Sequence, residues 1–489
     1  MTTGGQENLA SGPSPIEDDV EDFRLVGHAL VDALADHMDS LRECPVTRGD
    51  DPKQIWANLG DGSLPEQGVS LEELFQRTTM LLTQNSLFNG HPRFWGYITA
   101  SPSPVGILAD FLASAMNPNC GGWALSPIAS AIELQTVRWL AEFIGYPDSC
   151  GGILVSGGNM ANMLGFLAAR RAFLGEQVRS HGLENKRLTV YTSTATHTWL
   201  QKAADVFGLG TLAVRSVRSD DDRMSVAALH NAVREDRSKG FEPFLIVATA
   251  GTVATGAVDP IIDISKVAKH EGLWLHVDGA YGAPVASLPE AGDDLHALSL
   301  ADSIALDPHK WLYSPLEAGC VLVKDASALE AAFSFRPPYY YFHAGEDRVN
   351  FYELGLQNSR GFRALKVWMS LMHYGRQGHM QAIRRDIALT EIMRQALSAR
   401  KEIEVATCRL SIVTFRYLPS SGLDANILNE RLLASIQLDG RAFVSNAVID
   451  GKFYLRACIV NFRTSMEDAI ALADIVVELG GKVEAELAG

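Results

Sequence analysis

Two residues raise the question of chemistry. Lys310 stands in Leu306-Asp307-Pro308-His309-Lys310-Trp311, just after the apolar run Ser303-Ile304-Ala305, and Asp278 stands in Leu275-His276-Val277-Asp278-Gly279-Ala280-Tyr281, at the carboxyl end of another apolar run. A lone lysine after a strand is usually a solvated surface residue, and a lone aspartate there can simply cap the next segment. Together they offer an amine able to condense with an aldehyde and a carboxylate able to keep a heterocyclic nitrogen protonated. Those are the two groups that pyridoxal phosphate requires of a protein, and the protonated ring then serves as an electron sink.

Two further segments fit the same chemistry. Val155-Ser156-Gly157-Gly158-Asn159-Met160-Ala161-Asn162 places a glycine pair between a strand-like and a helix-like segment. Glycine allows close backbone approach, and a helix start presents free N–H groups and a positive dipole end to a phosphate. The pair fits neither the dinucleotide GxGxxG pattern nor Walker A, and alone it has the ordinary explanation of a tight turn. Thr196-His197-Thr198-Trp199 adds an imidazole that could stack on a pyridine ring and meet a substrate carboxylate.

These segments need a scaffold. Ile153–Val155, Leu188–Thr192, Leu212–Val217, Phe244–Ala248, Trp274–Val277, Ser303–Leu306 and Cys320–Val323 read as buried strands, and Asn159–Leu174 and Ile264–His270 between them have helical periodicity. The alternation predicts an α/β fold with a mainly parallel seven-stranded sheet flanked by helices, whose ligands sit at the carboxyl ends of strands. Upstream, Phe23, Val26, Leu30, Leu34, Met38 and Leu41 repeat at helical spacing, and Ser70 with Glu73 caps a second helix carrying Leu71, Leu74, Phe75, Met80 and Leu81. Two such helices cannot bury their faces alone and must pack on the main body or on a second subunit. After about residue 375 the pattern becomes a helix (Met380–Leu397), strands at Ile412–Tyr417 and Phe453–Val460, and a closing helix from Ser465. The expected divisions are a mobile tail over 1–17, an N-terminal helical layer over 18–105, a cofactor-binding domain over 106–375 and a small α+β domain over 376–489.

Composition narrows the partners. The 489 residues carry 42 Lys plus Arg against 58 Asp plus Glu, a net charge of −16 that would repel a nucleic-acid backbone. Apolar runs such as 106–116 and 469–479 are short and contain acids, so no membrane span is expected. Residues 1–15 lack the basic and apolar regions of a signal peptide, and Cys44, Cys120, Cys150, Cys320, Cys408 and Cys458 show no metal-ligand spacing. A cytoplasmic protein with reduced thiols and no metal site is the expectation.

The order SGGNMAN, His197, TAGTVATGAVDP (249–260), HVDGAYG and DPHKW resembles the group II pyridoxal-phosphate-dependent amino-acid decarboxylases, and within them the aromatic-L-amino-acid decarboxylase branch. His91-Pro92-Arg93-Phe94-Trp95-Gly96-Tyr97 with Leu108-Ala109-Asp110 is similar to the family's N-terminal substrate-pocket segment, and the run from Ser359 to Trp368 to its dimer-contact segment. The resemblance implies fold type I, the aspartate aminotransferase architecture, in a homodimer with shared sites. It implies Lys310 as the Schiff-base lysine, Asp278 on the pyridine nitrogen, His197 and Ala280 on the two ring faces, Gly157, Gly158, Asn159 and His309 about the phosphate, and Thr252 beside the ring. Three positions depart from the family pattern: Asn159 replaces a small hydroxyl residue, Asp307 stands where asparagine is common, and Gly279 replaces a frequent alanine.

The resemblance also implies that Tyr339, in Arg336-Pro337-Pro338-Tyr339-Tyr340-Tyr341, protonates the substrate Cα from a loop over 336–350. Relatives with phenylalanine there tend to release an aldehyde, so an amine product is expected. Phe94, Trp95, Tyr97, Ile98 and Trp123 fall where the family has pocket walls, and an aromatic, apolar lining suits an aromatic side chain. Ser359 holds a position where serine accompanies phenolic substrates in plant relatives. An acidic substrate, glutamate, aspartate or cysteine sulfinate, would need a cationic pocket, which Arg93, Arg336 or Arg360 could supply. Aldehyde synthesis is the other alternative.

Overall fold

The computed structural model describes residues 16–17, 19–49, 51–60, 62–336 and 348–489. The expected tail lies almost wholly outside the described residues, and so do Tyr339 and most of its loop.

Seven strands form the main sheet: β1 (Gly151–Val155), β2 (Leu188–Ser193), β3 (Val214–Val217), β4 (Glu242–Thr249), β5 (Trp274–Asp278), β6 (Ser303–Leu306) and β7 (Gly319–Val323), in the order β1-β7-β6-β5-β4-β2-β3. The pairs β3/β2, β2/β4, β4/β5 and β5/β6 are parallel, and β7 runs antiparallel to both β6 and β1. Each expected strand is present, except that Leu212 and Ala213 belong to a 3-10 turn before β3. The reversal of β7 has a simple cause. A parallel crossover usually runs through a helix that carries the chain back along the sheet, whereas the link from Leu306 to Gly319 holds turns and no helix and carries Lys310. The lysine therefore sits in a return loop against the strand ends.

The Gly158–Leu174 helix lies across the sheet with Ala161, Leu164, Phe166 and Leu167 buried, and the Pro127–Phe143 helix packs on β1. Near-continuous apolar strands such as Phe244–Ala248 are what a sheet covered on both faces requires.

A second, antiparallel sheet contains β8 (Ile403–Arg409), β9 (Ile412–Tyr417), β10 (Ser445–Ile449) and β11 (Lys452–Cys458) in the order β8-β9-β11-β10. It has its own core, with Val413, Phe415, Leu428, Leu432, Leu472 and Val476. Sequence reading found β9, β11 and the closing helix but missed β8, β10 and the Ala425–Asp439 helix. β8 carries a charge and a bulge between Val405 and Thr407, which breaks its alternation. The expected Met380–Leu397 helix is one limb of Ala364–Ser398, whose backbone leaves helical geometry at Gly375 (φ 64°). The closing helix, Met466–Ala488, begins at a capping box in which Ser465 and Asp468 each accept the other's backbone N–H.

The N-terminal region is fastened to this second unit. Asp468 accepts from Arg42 Nη1 at 2.8 Å and from Arg93 Nε at 2.9 Å. Residues 93–95 run beside Phe443: Phe443 N donates to Arg93 O at 3.0 Å and Trp95 N to Phe443 O at 2.8 Å. Ser70 caps its helix as expected, accepting from Glu73 N at 3.2 Å. The N-terminal helices do not bury their apolar faces on the body, however: Phe23, Leu34, Leu74, Phe75 and Met80 remain exposed. Among the described residues no helix is long and apolar enough to cross a membrane.

Candidate active site

The carboxyl ends of β1, β4, β5 and β6 open into a cavity of about 660 Å³ that brings together Gly157, Gly158, Asn159, His197, Asp278, Ala280, His309 and Lys310. Asp278 ends β5, and both its oxygens are fixed: Oδ2 accepts from Trp199 Nε1 at 2.8 Å and Oδ1 from Ala280 N at 3.2 Å. A carboxylate held this way keeps one orientation toward a ligand. His276, two residues earlier, bridges Ser303 Oγ and Asn162 Oδ1, each at 2.7 Å, and burial pushes its imidazole down to about 4. It ties the helix after the glycine pair to the strand that carries Asp278.

Lys310 Nζ lies 3.0 Å from Asp307 Oδ2, and His309 Nε2 lies 3.7 Å from the same oxygen. His309 Nδ1 is 2.6 Å from the Ala318 carbonyl oxygen, which orients the ring, and burial holds the imidazole below its usual range. His197 Nδ1 accepts from Trp199 N at 3.3 Å. Burial, opposed by Asp278 and reinforced by Lys310, holds His197 below its usual range, and in its neutral form the ring carries its hydrogen on Nε2. It can donate one hydrogen bond into the cavity.

The turn from β1 into the Gly158–Leu174 helix fits a phosphate. Gly157 has φ 146°, open only to glycine without strain, and a Cβ on Gly158 would lie 2.7 Å from Asp307 Oδ2 and 3.2 Å from Ala280 Cβ. No side chain caps this helix, so its first N–H groups stay available to an anion. Glycine pair, Asp278 and Lys310 thus supply the anion cradle, the carboxylate and the amine that pyridoxal phosphate needs, in one cavity.

Other expected residues lie elsewhere. Phe94 is buried and stacks on Phe443 at 5.4 Å, and Trp95 is in the core of the second sheet with Nε1 donating to Thr464 Oγ1 at 3.2 Å. Neither lines the cavity, because the strand-like pairing with Phe443 turns both inward; Tyr97 and Ile98, just beyond, do line it. Thr252 is fully buried, and its Oγ1 accepts from Ala257 N at 3.1 Å, closing the 251–257 turn; its neighbours Gly251 and Val253 reach the cavity. Trp123 and the exposed Ser359 do not line this cavity.

The three arginines considered for a cationic pocket are occupied. Arg93 pairs with Asp468, Arg336 with Glu330 and Glu353, and Arg360 with the fully buried Glu133 while donating to Leu154 O at 2.6 Å, so it braces β1. Sequence reasoning missed the arginine that does line the cavity. Arg456, in β11, is 2% exposed; its Nη1 donates to Tyr97 O and to Ser445 Oγ, both at 3.0 Å, and Nε and Nη2 have no partner among the described residues. It looked like any polar residue of an alternating strand. Trp199 could have been found, since it sits two residues from His197.

Away from the cavity, His230, His270 and Glu271 lie close enough together to hold a metal ion, but Glu271 is paired with Arg237, whose charge opposes a cation there.

Residues 52–418 match the model of the pyridoxal-dependent decarboxylase conserved domain. The chain is 36% identical over 459 residues to an aromatic-L-amino-acid decarboxylase of Bacillus atrophaeus (92% of this chain, 94% of that one) and 31% identical over 455 residues to tryptophan decarboxylase 2 of Oryza sativa subsp. japonica (90% and 91%). The crystal structure of Oryza sativa TDC with PLP and tryptamine matches with a TM-score of 0.89 at 26% identity, over 97% of this chain and 100% of that one. The architecture is accordingly fold type I, and the chain belongs to the pyridoxal-dependent decarboxylase family, with pyridoxal 5'-phosphate as its cofactor.

Proposed function

We propose that this decarboxylase acts on an aromatic L-amino acid, releases the corresponding amine and carbon dioxide, and works as a homodimer in the cytoplasm. The observation that carries the reading is the convergence of Lys310, Asp278 and His197 on one cavity whose lining also includes Tyr97, Ile98, Val253 and Leu316. When bound, pyridoxal phosphate supplies the sink for the electron pair left by departing carbon dioxide. Lys310 is the amine that would hold the cofactor in this cavity. Asp278, fixed by Trp199, holds the proton on the ring nitrogen. His197 Nε2–H would donate to the substrate carboxylate and so orient the bond to be broken. Tyr339 returns a proton to Cα.

A second reading, an acidic substrate, is favoured by Arg456, a cation in the cavity lining whose charge would suit a side-chain carboxylate. A panel of L-amino acids assayed for carbon dioxide with identification of the products separates the two. Activity confined to glutamate, aspartate or cysteine sulfinate overturns the aromatic reading, and aldehyde as the main product overturns the amine.

The homodimer is supported by the uncovered N-terminal helices and by Leu108, Phe111, Leu112 and Met116, exposed on the Pro104–Met116 helix. Trp123 and Ser359 then serve the site of the other copy. A monomer mass in sedimentation at micromolar concentration overturns it. Six free cysteines fit a reducing compartment. The divisions at residues 105 and 375 predict protease cleavage near those positions.

A further inference from the structure

Asp307 poses a charge problem that the decarboxylase reading does not solve. Its carboxylate is 1% exposed and lies against the anion cradle, since Oδ2 comes within 2.7 Å of where a Gly158 Cβ would be. The other oxygen, Oδ1, is buried without a hydrogen-bond partner among the described residues. The groups facing it are few. Lys310 and His309 share its loop, at 3.0 and 3.7 Å from Oδ2; His197 faces it across the cavity; the thiol of Cys320 lies on the adjoining strand; and the uncapped start of the Gly158–Leu174 helix lies above it. His309 is buried and held toward its neutral form, so Lys310 is the cation that pairs with Asp307.

Lys310 cannot serve two partners. Once its nitrogen is committed to the cofactor, Asp307 loses its ammonium donor while a phosphate dianion enters the cradle beside it. Two buried anions in contact would then share only His309, which burial holds toward its neutral form, and a proton on Asp307 relieves the repulsion directly. We propose that loading the site with pyridoxal phosphate places a proton on Asp307, so that the carboxylic acid faces the phosphate as a hydrogen-bond donor. The step is a single protonation: the carboxylate takes one proton from solvent, and no electrons move. The proposal rests on the assigned cofactor and on the phosphate lying in the glycine cradle.

The test is an infrared difference spectrum, cofactor-loaded minus cofactor-free protein, for the wild type and for Asp307→Asn, with loading verified by the visible absorbance of the bound cofactor. The expected result is a carbonyl stretch of a protonated carboxylic acid that appears on loading, shifts in D2O and is missing from Asp307→Asn. Carboxyls elsewhere in the protein cancel in the difference. In parallel, cofactor affinity of the wild type should fall as pH rises, by up to about tenfold per pH unit as one-proton linkage requires, and less steeply for Asp307→Asn. A loaded wild type without the band, or a band that persists in Asp307→Asn, overturns the proposal. If Asp307→Asn does not fold, the wild-type band and its D2O shift still decide. A protein that shows no cofactor absorbance at all overturns the underlying reading instead.

Discussion

The two ends of the cavity are built differently. At the cofactor end, Gly157, Gly158, Asp278 and Lys310 stand at strand ends of one sheet; Trp199 and Ala280 fix Asp278, Asn162 fixes the neighbouring His276, and Ala318 fixes His309, all from the same layer. At the other end, Tyr97 and Ile98 come from the N-terminal segment, and Arg456, Ser445 and Asn446 from the second sheet. Tyr97 and Arg456 meet across 359 residues of sequence. The first end fixes Asp278 at both oxygens, while the second leaves Arg456 Nε and Nη2 without a partner among the described residues and Tyr97 at 56% exposure with φ 52°. Reaction type is thus written into the stiff part of the molecule, and choice of substrate into a seam between parts.

Substitutions should separate the two ends. The largest effect is expected for Lys310→Ala, a fall in kcat of about 10^4-fold or more with cofactor still bound non-covalently, read by turnover and by mass after borohydride treatment. Trp199→Phe removes one donor to Asp278 and should lower kcat about tenfold with little change in KM, the cost of one buried bond of about 1.4 kcal/mol. Arg456→Met should do the opposite, moving KM or the ranking of substrates by about tenfold or less while sparing kcat. If Arg456→Met lowers kcat as far as Trp199→Phe does, the contrast between the ends is wrong.

Two pH experiments refine it. Because burial depresses His197, its neutral form persists below the range of a free imidazole, so the acid limb of kcat/KM should lie below that range. At Asp468 burial opposes ionisation, but donors from Arg93, the Ser465 amide and Arg42 outweigh it and hold the carboxyl below its usual range. The stability this provides is present above the unfolded-state value and lost as pH falls through the folded one. Asp468→Asn should therefore cost about 1–2 kcal/mol at pH 7, measured by urea unfolding, and progressively less in acid.

The cofactor end was legible in sequence for the reason that makes it stiff: each of its residues closes an apolar run, so strand, turn and functional group are read from one short segment. Gly157, Asp278 and Lys310 needed only the rule that ligands bind at the carboxyl ends of strands. The substrate end offered no such segment. Phe94 and Trp95 looked like pocket walls because they are aromatic and close to Tyr97, but pairing with Phe443 turns both into core. Arg456 resembled any solvent-facing residue of an edge-like strand, and Arg360 an available cation, until burial and the partners of each were known. Local pattern determines which side chains share a strand, whereas the contact between distant strands determines which of them meet a ligand.

The clamp at Asp468 also bears on the order in which the protein can be made. Arg93 and its partner are 375 residues apart, and Asp468 belongs to the last helix. During synthesis β1 to β7 are complete long before that helix exists, so the cofactor cradle can assemble while the segment carrying Tyr97 still has nothing to fasten to. The wall that chooses the substrate is the last part of the cavity to close, and a ribosome that stalls before residue 443 leaves a chain with its chemistry laid out and its selectivity absent.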